Sequence, residues 1–249
     1  MDGEKKMKIT DFFVDNNGTN IHYIDSNINH NHELPFVIIP GLSESADDYL
    51  PLMKSLLPRR SIAITLRGRG KSDAPLTGYT LEEHISDIEV VTNHLNLKEF
   101  ILIGYSRGVS YALGYAIAHS QLIKGIILGD YPAIHTELPP AWVDYFSSLP
   151  PWRGKPLSER MKPHALTGLQ KDSKQIMFWD KLSLIECPVL IIRGGKKGSA
   201  LSEEAAQQYL ENFANATEVV FEESDHNIFE PNLQKVLITV KWFIESKKL

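Results

Sequence analysis

The stretch Phe100-Ile101-Leu102-Ile103-Gly104-Tyr105-Ser106-Arg107-Gly108 decides the fold of this chain. Its first four residues are apolar and predict a short buried β-strand, and the small-residue stretch 109–116 that follows predicts a helix. A G-x-S-x-G pentapeptide between a strand and a helix turns the chain sharply and presents the serine hydroxyl at the end of the sheet. Gly104 and Gly108 fit this turn because they lack a Cβ atom. Ser106 is therefore predicted to be a nucleophile, and an ordinary serine in a glycine-rich turn is the alternative.

Further apolar runs of strand length lie on both sides of this stretch. Asn16-Asn17-Gly18 is a strong turn signal and predicts a hairpin between the first two runs. The predicted strands are 9–14, 21–24, 36–39, 62–65, 100–103, 126–128, 189–192 and 219–221. Short apolar and β-branched runs of this kind are typical of strands buried on both faces of a parallel sheet.

Helical patterns separate these strands. Thr80 and Glu83 form a capping box, which predicts a helix that begins at Leu81. Other helices are predicted from residue 203 and over 232–247. The alternation of strands and helices predicts an α/β fold with a doubly wound, mostly parallel sheet. Ligands of such sheets bind beyond the carboxyl ends of the strands.

The composition narrows the classes of function. The chain has 249 residues, enough for one α/β domain with a full core, and its net charge of −5 gives no electrostatic reason to bind nucleic acid or an anionic membrane. The single cysteine, Cys187, excludes an internal disulfide and fits a reducing compartment. The charged stretch 1–8 lacks the apolar core of a signal peptide, and no apolar run is long enough to span a bilayer. We therefore expect a cytoplasmic protein without nucleic-acid or membrane partners.

Four sequence blocks, in this order along the chain, resemble the α/β-hydrolase fold family. They are Phe36 to Leu42, like the third strand and oxyanion loop; Thr65 to Ser72, like the D-x-R-G-x-G-x-S turn with threonine in place of aspartate; the serine turn 104–108; and Ser224-Asp225-His226, like the catalytic histidine loop. The resemblance extends from about residue 9 to residue 249. It implies an eight-stranded type of sheet with flanking helices and a small helical cap.

Residues 131–182 break the strand–helix alternation and carry clusters of prolines and aromatic side chains. Because the resemblance implies a cap at this point, we predict a core domain, 1–130 and 183–249, and a helical cap, 131–182. Roofing residues of the family usually form the substrate pocket, although most of these aromatic side chains could simply hold the cap together. The predicted pocket residues are Ser43, Tyr105, Trp142, Phe146 and Trp179.

The resemblance implies a catalytic triad in the chain order serine, acid, histidine. Serine is a weak nucleophile unless an adjacent base takes its proton and a carboxylate orients that base. Ser106 and His226 fit the first and last places. The acid commonly follows the penultimate strand in the family, but the loop 193–202 contains no carboxylate, and Ser199 occupies about that place.

Some family members supply the acid after the strand that follows the nucleophile helix, and Asp130 stands at that place. Asp130 is therefore the predicted acid, with a strand-end carboxylate that only caps a turn as the alternative. Asp225 is next to the histidine in sequence and cannot easily bend back to its ring. Glu203 and Glu204 are weaker candidates because they fall in a predicted first helical turn.

The resemblance also implies an oxyanion hole made of the backbone N–H groups of Leu42 and Arg107, with possible help from the Ser43 hydroxyl. The Arg107 side chain either reaches the substrate pocket or binds a carbonyl or acid of the cap, and the second interpretation is favoured. His30 and His32 could share a metal, but no third ligand is evident, so no metal or other cofactor is predicted.

These residues together predict a serine hydrolase that acts on a small acyl substrate, an ester, lactone or thioester, as carboxylesterases do. A serine rather than an aspartate at the turn argues against dehalogenase and epoxide hydrolase chemistry. Three alternatives stay open. They are a non-catalytic or regulatory ligand-binding protein on the same fold, a C–C bond hydrolase or perhydrolase with the same Ser–His pair, and a cofactor-free lyase or oxygenase.

Overall fold

The computed structural model describes residues 9–27 and 33–249. Its strands are β1 (Thr10–Asn16), β2 (Thr19–Asp25), β3 (Phe36–Ile39), β4 (Ser61–Ile64), β5 (Phe100–Tyr105), β6 (Ile123–Gly129), β7 (Ile134–His135), β8 (Ile176–Met177), β9 (Val189–Gly194) and β10 (Ala216–Phe221). Its α-helices are α1 (Leu50–Leu56), α2 (Leu81–His94), α3 (Gly108–Ala118), α4 (Trp142–Ser148), α5 (Leu157–Arg160), α6 (Pro163–Asp172), α7 (Glu203–Asn212) and α8 (Leu233–Lys247). Short 3-10 turns cover Ala46–Tyr49, Ser120–Leu122 and Trp179–Leu184.

Eight strands form one sheet in the order β1-β2-β4-β3-β5-β6-β9-β10. β1 pairs antiparallel with β2, and β2 pairs antiparallel with β4, whereas the pairs from β4 to β10 are parallel. The predicted α/β fold with a mostly parallel sheet is confirmed. β3, β5, β6 and β9 are neighbours, so the residues that follow them meet at one edge of the sheet.

The core lies on both faces of this sheet. Along β5, Phe100 and Leu102 join the cluster that packs against α2, α3 and α7, and Ile101 and Ile103 join the cluster that packs against α1 and α8. This alternation follows from the two-residue period of a strand. It explains why the run is apolar at every position.

The predicted strands and helices are present, with differences at their ends. β6 and β10 each begin three residues before the predicted apolar runs, because backbone pairing continues through polar residues such as Lys124 and Glu218. The predicted capping box is confirmed: the Thr80 hydroxyl accepts from the Glu83 N–H, the Glu83 carboxylate accepts from the Thr80 N–H, and α2 begins at Leu81.

The segment between β6 and β9 contains the short helices α4, α5 and α6. It also contains a small antiparallel ladder in which Ile134 pairs with Met177 and His135 with Ile176. The sequence predicted no strand here, and that was wrong in detail, since two-residue strands are too short for a periodic pattern. The division into a core and a cap at 131 and 182 stays a prediction.

No helix in the described part of the chain is both long and apolar enough to cross a bilayer. Among the same residues, no group of three or more histidine, cysteine, aspartate or glutamate side chains is arranged to hold a metal ion. The predictions about stretch 1–8 and about the pair His30 and His32 lie outside the described residues.

Candidate active site

Ser106 lies in a sharp turn between β5 and α3. Its φ of 53° is in the left-handed region, which is uncommon for a residue with a side chain and is typical of strained functional turns. The Ser106 N–H donates to the Gly129 carbonyl at 2.8 Å, which fixes the turn to the end of β6. A Cβ atom at Gly108 would collide with the carbonyl oxygens of Ile39 and Pro40. The turn therefore requires glycine at 108, as the sequence predicted.

The three residues predicted as a triad come together at the carboxyl ends of the strands. His226 Nε2 lies 2.8 Å from Ser106 Oγ, and His226 Nδ1 lies 2.8 Å from Asp130 Oδ2. Asp130 is fully buried, and the imidazole is partly exposed towards the cavity described below. The arrangement can pass a proton from the hydroxyl to Nε2, while the carboxylate holds the proton on Nδ1.

Asp130 is held by the loop in which the sequence showed no carboxylate. Its Oδ1 accepts hydrogen bonds from the Gly194 N–H at 3.0 Å and from the Ser199 hydroxyl at 2.5 Å, and its Oδ2 accepts from the Ala200 N–H at 2.8 Å. With the imidazole, four donors surround this buried carboxylate. Such bonds offset the cost of burying a charge.

None of the other candidate acids contacts His226 within the described residues. Asp225 is exposed and accepts a hydrogen bond from the Asn227 N–H. Glu203 and Glu204 are exposed in the first turn of α7. The contact with the imidazole is therefore made by Asp130.

Tyr105, the residue before Ser106, positions the histidine loop. Its hydroxyl donates to the His226 carbonyl at 2.7 Å, and the two rings stack with their centroids 5.3 Å apart. Burial and the Glu44 carboxylate raise the pKa of Tyr105 well above its ordinary value, so the hydroxyl keeps its proton. The turn that carries Ser106 thus also holds His226 in place.

The predicted oxyanion donors lie beside Ser106. Within the described residues, the N–H groups of Leu42 and Arg107 donate no hydrogen bond, so both are available. The Leu42 carbonyl accepts from Arg69 Nε at 2.8 Å, and the Gly41 N–H donates to the Glu44 carboxylate at 2.9 Å. These bonds hold the loop on both sides of the Leu42 amide.

The Arg107 side chain is buried and bonds to residues other than Ser106, His226 and Asp130. It donates to the Thr136 carbonyl at 3.0 Å, to His135 Nε2 at 3.1 Å and to the Tyr111 hydroxyl at 3.2 Å. The interpretation that it binds a carbonyl of segment 131–182 is confirmed. Burial and the guanidinium groups of Arg107 and Arg69 lower the pKa of His135 to about 3, so this imidazole is neutral.

A cavity of about 310 Å³ opens beside Ser106 and His226. Ligand sites of this kind usually enclose about 300–1,000 Å³, so the cavity suits a small substrate. Its wall is mostly apolar, with a few polar groups. It is lined by Gly41, Leu42, Ser43, Glu44, Tyr105, Ser106, Phe146, Leu149, Pro150, Pro151, Trp152, Arg160 and His226.

Three of the five predicted pocket residues line the cavity, and two do not. Ser43, Tyr105 and Phe146 line the cavity. Trp142 does not line it, and its ring stacks on that of Phe146 with the centroids 4.8 Å apart. Trp179 was wrongly placed: it lies in the 3-10 turn that returns to the sheet, and its ring packs on Tyr209 of α7 at 5.0 Å.

Sequence reasoning missed a group of contacts around Glu44, a buried carboxylate in the loop after β3. Glu44 accepts from the Tyr49 hydroxyl at 2.6 Å and from Trp152 Nε1 at 2.8 Å, and Arg153 lies 3.2 Å from it. These contacts join segment 131–182 to the loop that carries Leu42. The aromatic cluster of 131–182 signalled Trp152 only in general terms, and no sequence signal marked Glu44.

Comparison with known proteins gives one family. A family model described as alpha/beta hydrolase fold matches residues 35–175. Among curated proteins, 99 residues are 32% identical to the 2-(acetamidomethylene)succinate hydrolase of Mesorhizobium japonicum, over 39% of this chain and 36% of that protein. The chain thus spans little more than a third of the length of that relative.

Solved structures match over almost the whole chain. An esterase from Exiguobacterium antarcticum has a TM-score of 0.72 and 24% identity, and the match covers 92% of this chain and 96% of that one. An enol-lactonase from Burkholderia xenovorans has a TM-score of 0.78 and 18% identity, over 94% and 99% of the two chains. At these identities the likeness establishes the fold.

Proposed function

Because this chain belongs to the α/β-hydrolase fold family, we propose that it is a serine hydrolase that cleaves a small carboxylic ester, lactone or thioester. The observation that carries this proposal is the pair of 2.8 Å contacts that joins Ser106, His226 and Asp130. The fold of an esterase and of an enol-lactonase is consistent with it.

In the proposed reaction, Ser106 Oγ attacks the acyl carbon and its proton moves to His226 Nε2. The backbone N–H groups of Leu42 and Arg107 bind the oxyanion of the tetrahedral intermediate. In sites of this kind, removal of one such donor raises the activation free energy by about 3 kcal/mol. His226 then protonates the leaving alcohol or thiol, and an acyl-enzyme remains on Ser106. The same imidazole activates a water molecule that releases the acid.

Asp130 acts through His226 in this scheme. Its carboxylate accepts the Nδ1 proton, which keeps Nε2 free as a base, and it stabilises the imidazolium that forms. The alternative of a non-catalytic binding protein arose from the missing carboxylate in 193–202. The contact between Asp130 and His226 supports the hydrolase proposal over this alternative, because a carboxylate lies next to the imidazole.

The proposal is tested by labelling with a fluorophosphonate probe, together with turnover of p-nitrophenyl esters of graded acyl length. We expect labelling and turnover in the native chain and neither in Ser106→Ala. Ser110→Ala is the matched control, because Ser110 also lies in the nucleophile region but bonds to the Arg107 carbonyl. Labelling without turnover of any ester would favour the C–C hydrolase or perhydrolase alternative. A folded protein that shows neither would refute the proposal.

A further inference from the structure

Arg160 is a buried arginine in the wall of the candidate active site. It ends the short helix α5, its exposed fraction is 8%, and it lines the same cavity as Ser106 and His226. A fully charged guanidinium is costly to bury unless its N–H groups are bonded and its charge is paired. Its partners therefore decide what it does there.

Within the described residues, Arg160 lacks the partners that such a group needs. Its Nη1 donates to the Ser43 hydroxyl, but its Nε is buried without a hydrogen-bond acceptor, and no carboxylate lies within ion-pair distance. Arg67, exposed to the same small extent, is paired with Asp87 at 2.7 Å. Arg160 is thus a buried cation without a paired carboxylate among the residues that the structure describes, with one unused donor, and it lines the cavity.

The two carboxylates whose charges act on Arg160 already have other partners. Glu44 accepts from Tyr49 and Trp152, and Asp48 pairs with Lys155 at 2.7 Å. Burial lowers the pKa of Arg160 below its ordinary value, and the charges of Glu44 and Asp48, which act in the opposite direction, do not cancel this effect. An arginine nevertheless stays protonated in proteins, so the charge persists.

We propose that Arg160 binds a carboxylate carried by the substrate. On this basis the substrate is a half-ester, or a lactone or thioester, that bears a free carboxylate beyond the scissile acyl group. The planar guanidinium suits a carboxylate, because two parallel N–H groups can meet its two oxygens. The inference rests on the proposed hydrolase function, since it names the substrate class of that same site.

Ser43 would assist in this binding. Its oxygen accepts from Arg160, which leaves its own hydroxyl hydrogen to donate to the same carboxylate. The other residues of segment 131–182 that line the cavity are mostly apolar and include Phe146, Leu149 and Trp152. An apolar linker between the acyl group and the carboxylate would therefore match the lining.

A purely structural role for Arg160 makes a different prediction. If it only ties α5 to the loop that carries Ser43, its removal would disturb every substrate alike. If it binds a carboxylate, its removal would penalise anionic substrates selectively. Pairs of substrates that differ only in the carboxylate separate the two roles.

The test measures kcat/KM for mono-p-nitrophenyl glutarate, adipate and pimelate against p-nitrophenyl pentanoate, hexanoate and heptanoate, in which a methyl group replaces each carboxylate. We expect the native chain to prefer the anionic member of at least one pair, and Arg160→Gln to lower that preference by about 10–100-fold. Lys162→Gln is the matched control: it removes the same charge from an exposed position two residues away and leaves the preference in place. Arg160→Lys should restore part of it.

Two results would overturn the inference. The native chain could show no anionic preference at any length, or Arg160→Gln could slow both members of each pair equally. Calorimetric titration with glutarate, adipate and pimelate keeps the test independent of turnover. Binding of one diacid that Arg160→Gln abolishes supports the inference even if the hydrolase proposal fails. Absence of binding by all three to the folded native chain refutes it.

Discussion

The Ser199 hydroxyl donates a hydrogen bond of 2.5 Å to Oδ1 of Asp130. Ser199 lies in the loop after β9, the place at which the family resemblance implied the acid, and Asp130 lies after β6. β6 and β9 are adjacent and parallel, so the two positions face each other across one strand spacing. A carboxylate after β6 or after β9 can therefore reach His226. In this protein the carboxylate follows β6, and the loop after β9 supplies the Ser199 hydroxyl as a hydrogen-bond donor to it.

Replacement of Asp130 should affect turnover far more than replacement of its donor. We expect Asp130→Asn to lower kcat by about 10³–10⁴-fold, because the amide no longer holds the productive tautomer of His226. Ser199→Ala removes one of several donors and should lower kcat by less than about 10-fold. Steady-state kinetics on a p-nitrophenyl ester, with circular dichroism to verify folding, would measure both. Equal activity of native chain and Asp130→Asn would rule out this residue as the acid.

Much of this site could be predicted from the sequence because its residues sit at fixed places relative to strands. Ser106, Asp130 and His226 each follow a strand that an apolar run marks, and parallel strands bring their carboxyl ends together. Trp179 could not be placed, because the direction of an aromatic side chain in an irregular segment depends on what packs beside it. Arg160 and Glu44 carried no signal for a related reason: a charged residue in a sequence does not reveal whether it is buried or which partner it meets.

Glu44 should couple segment 131–182 to the loop that carries Leu42. Glu44→Gln replaces one of the two acceptor oxygens by an NH₂ group. If Oε1 is replaced, the NH₂ group meets the Trp152 Nε1–H donor; if Oε2 is replaced, it meets the Tyr49 hydroxyl and the Gly41 N–H. We expect a loss of about 2–3 kcal/mol in the free energy of unfolding and a fall in kcat, since the Leu42 amide is carried by the same loop. Glu99→Gln is the control, because Glu99 forms an exposed pair with Lys124 and such pairs contribute about 0–1 kcal/mol. Unchanged stability of Glu44→Gln, measured by urea unfolding, would contradict the coupling.

Cys187 should react slowly with thiol reagents in the folded protein. Burial raises the pKa of this half-buried thiol to about 12, so only about one molecule in 10⁴ carries the thiolate at pH 8. We expect Ellman's reagent to label it about 10³-fold more slowly than the same chain unfolded in guanidinium chloride. The native labelling rate also indicates whether the fluorophosphonate probe would react with the Cys187 thiol as well as with Ser106. Rapid labelling under native conditions would refute the assigned burial.

His135 should make the fold sensitive to mild acid. Its pKa is lowered to about 3, first by burial and then by Arg107 and Arg69, whereas in the unfolded chain it is near 6.5. Between these two pKa values the imidazole is protonated in the unfolded chain and neutral in the folded protein. Falling pH therefore stabilises the unfolded chain, and the free energy of unfolding decreases from about pH 6.5 down to pH 3. Between pH 6.5 and 5.5 the loss is about 1 kcal/mol of unfolding free energy for this one residue.

The matching variant is His135→Asn, which keeps a donor for Ser110 near the place of Nδ1, loses the acceptor that Nε2 offers to Arg107, and does not titrate. Urea unfolding at pH 6.5 and 5.5 should give a pH-dependent loss about 1 kcal/mol smaller in the variant than in the native chain. His22 and His84, whose pKa values burial also lowers, are retained in both proteins and cancel in the difference. The same pH dependence in both proteins would mean that His135 is already able to take a proton in the folded state, and the neutral imidazole assigned behind the nucleophile turn would have to be abandoned.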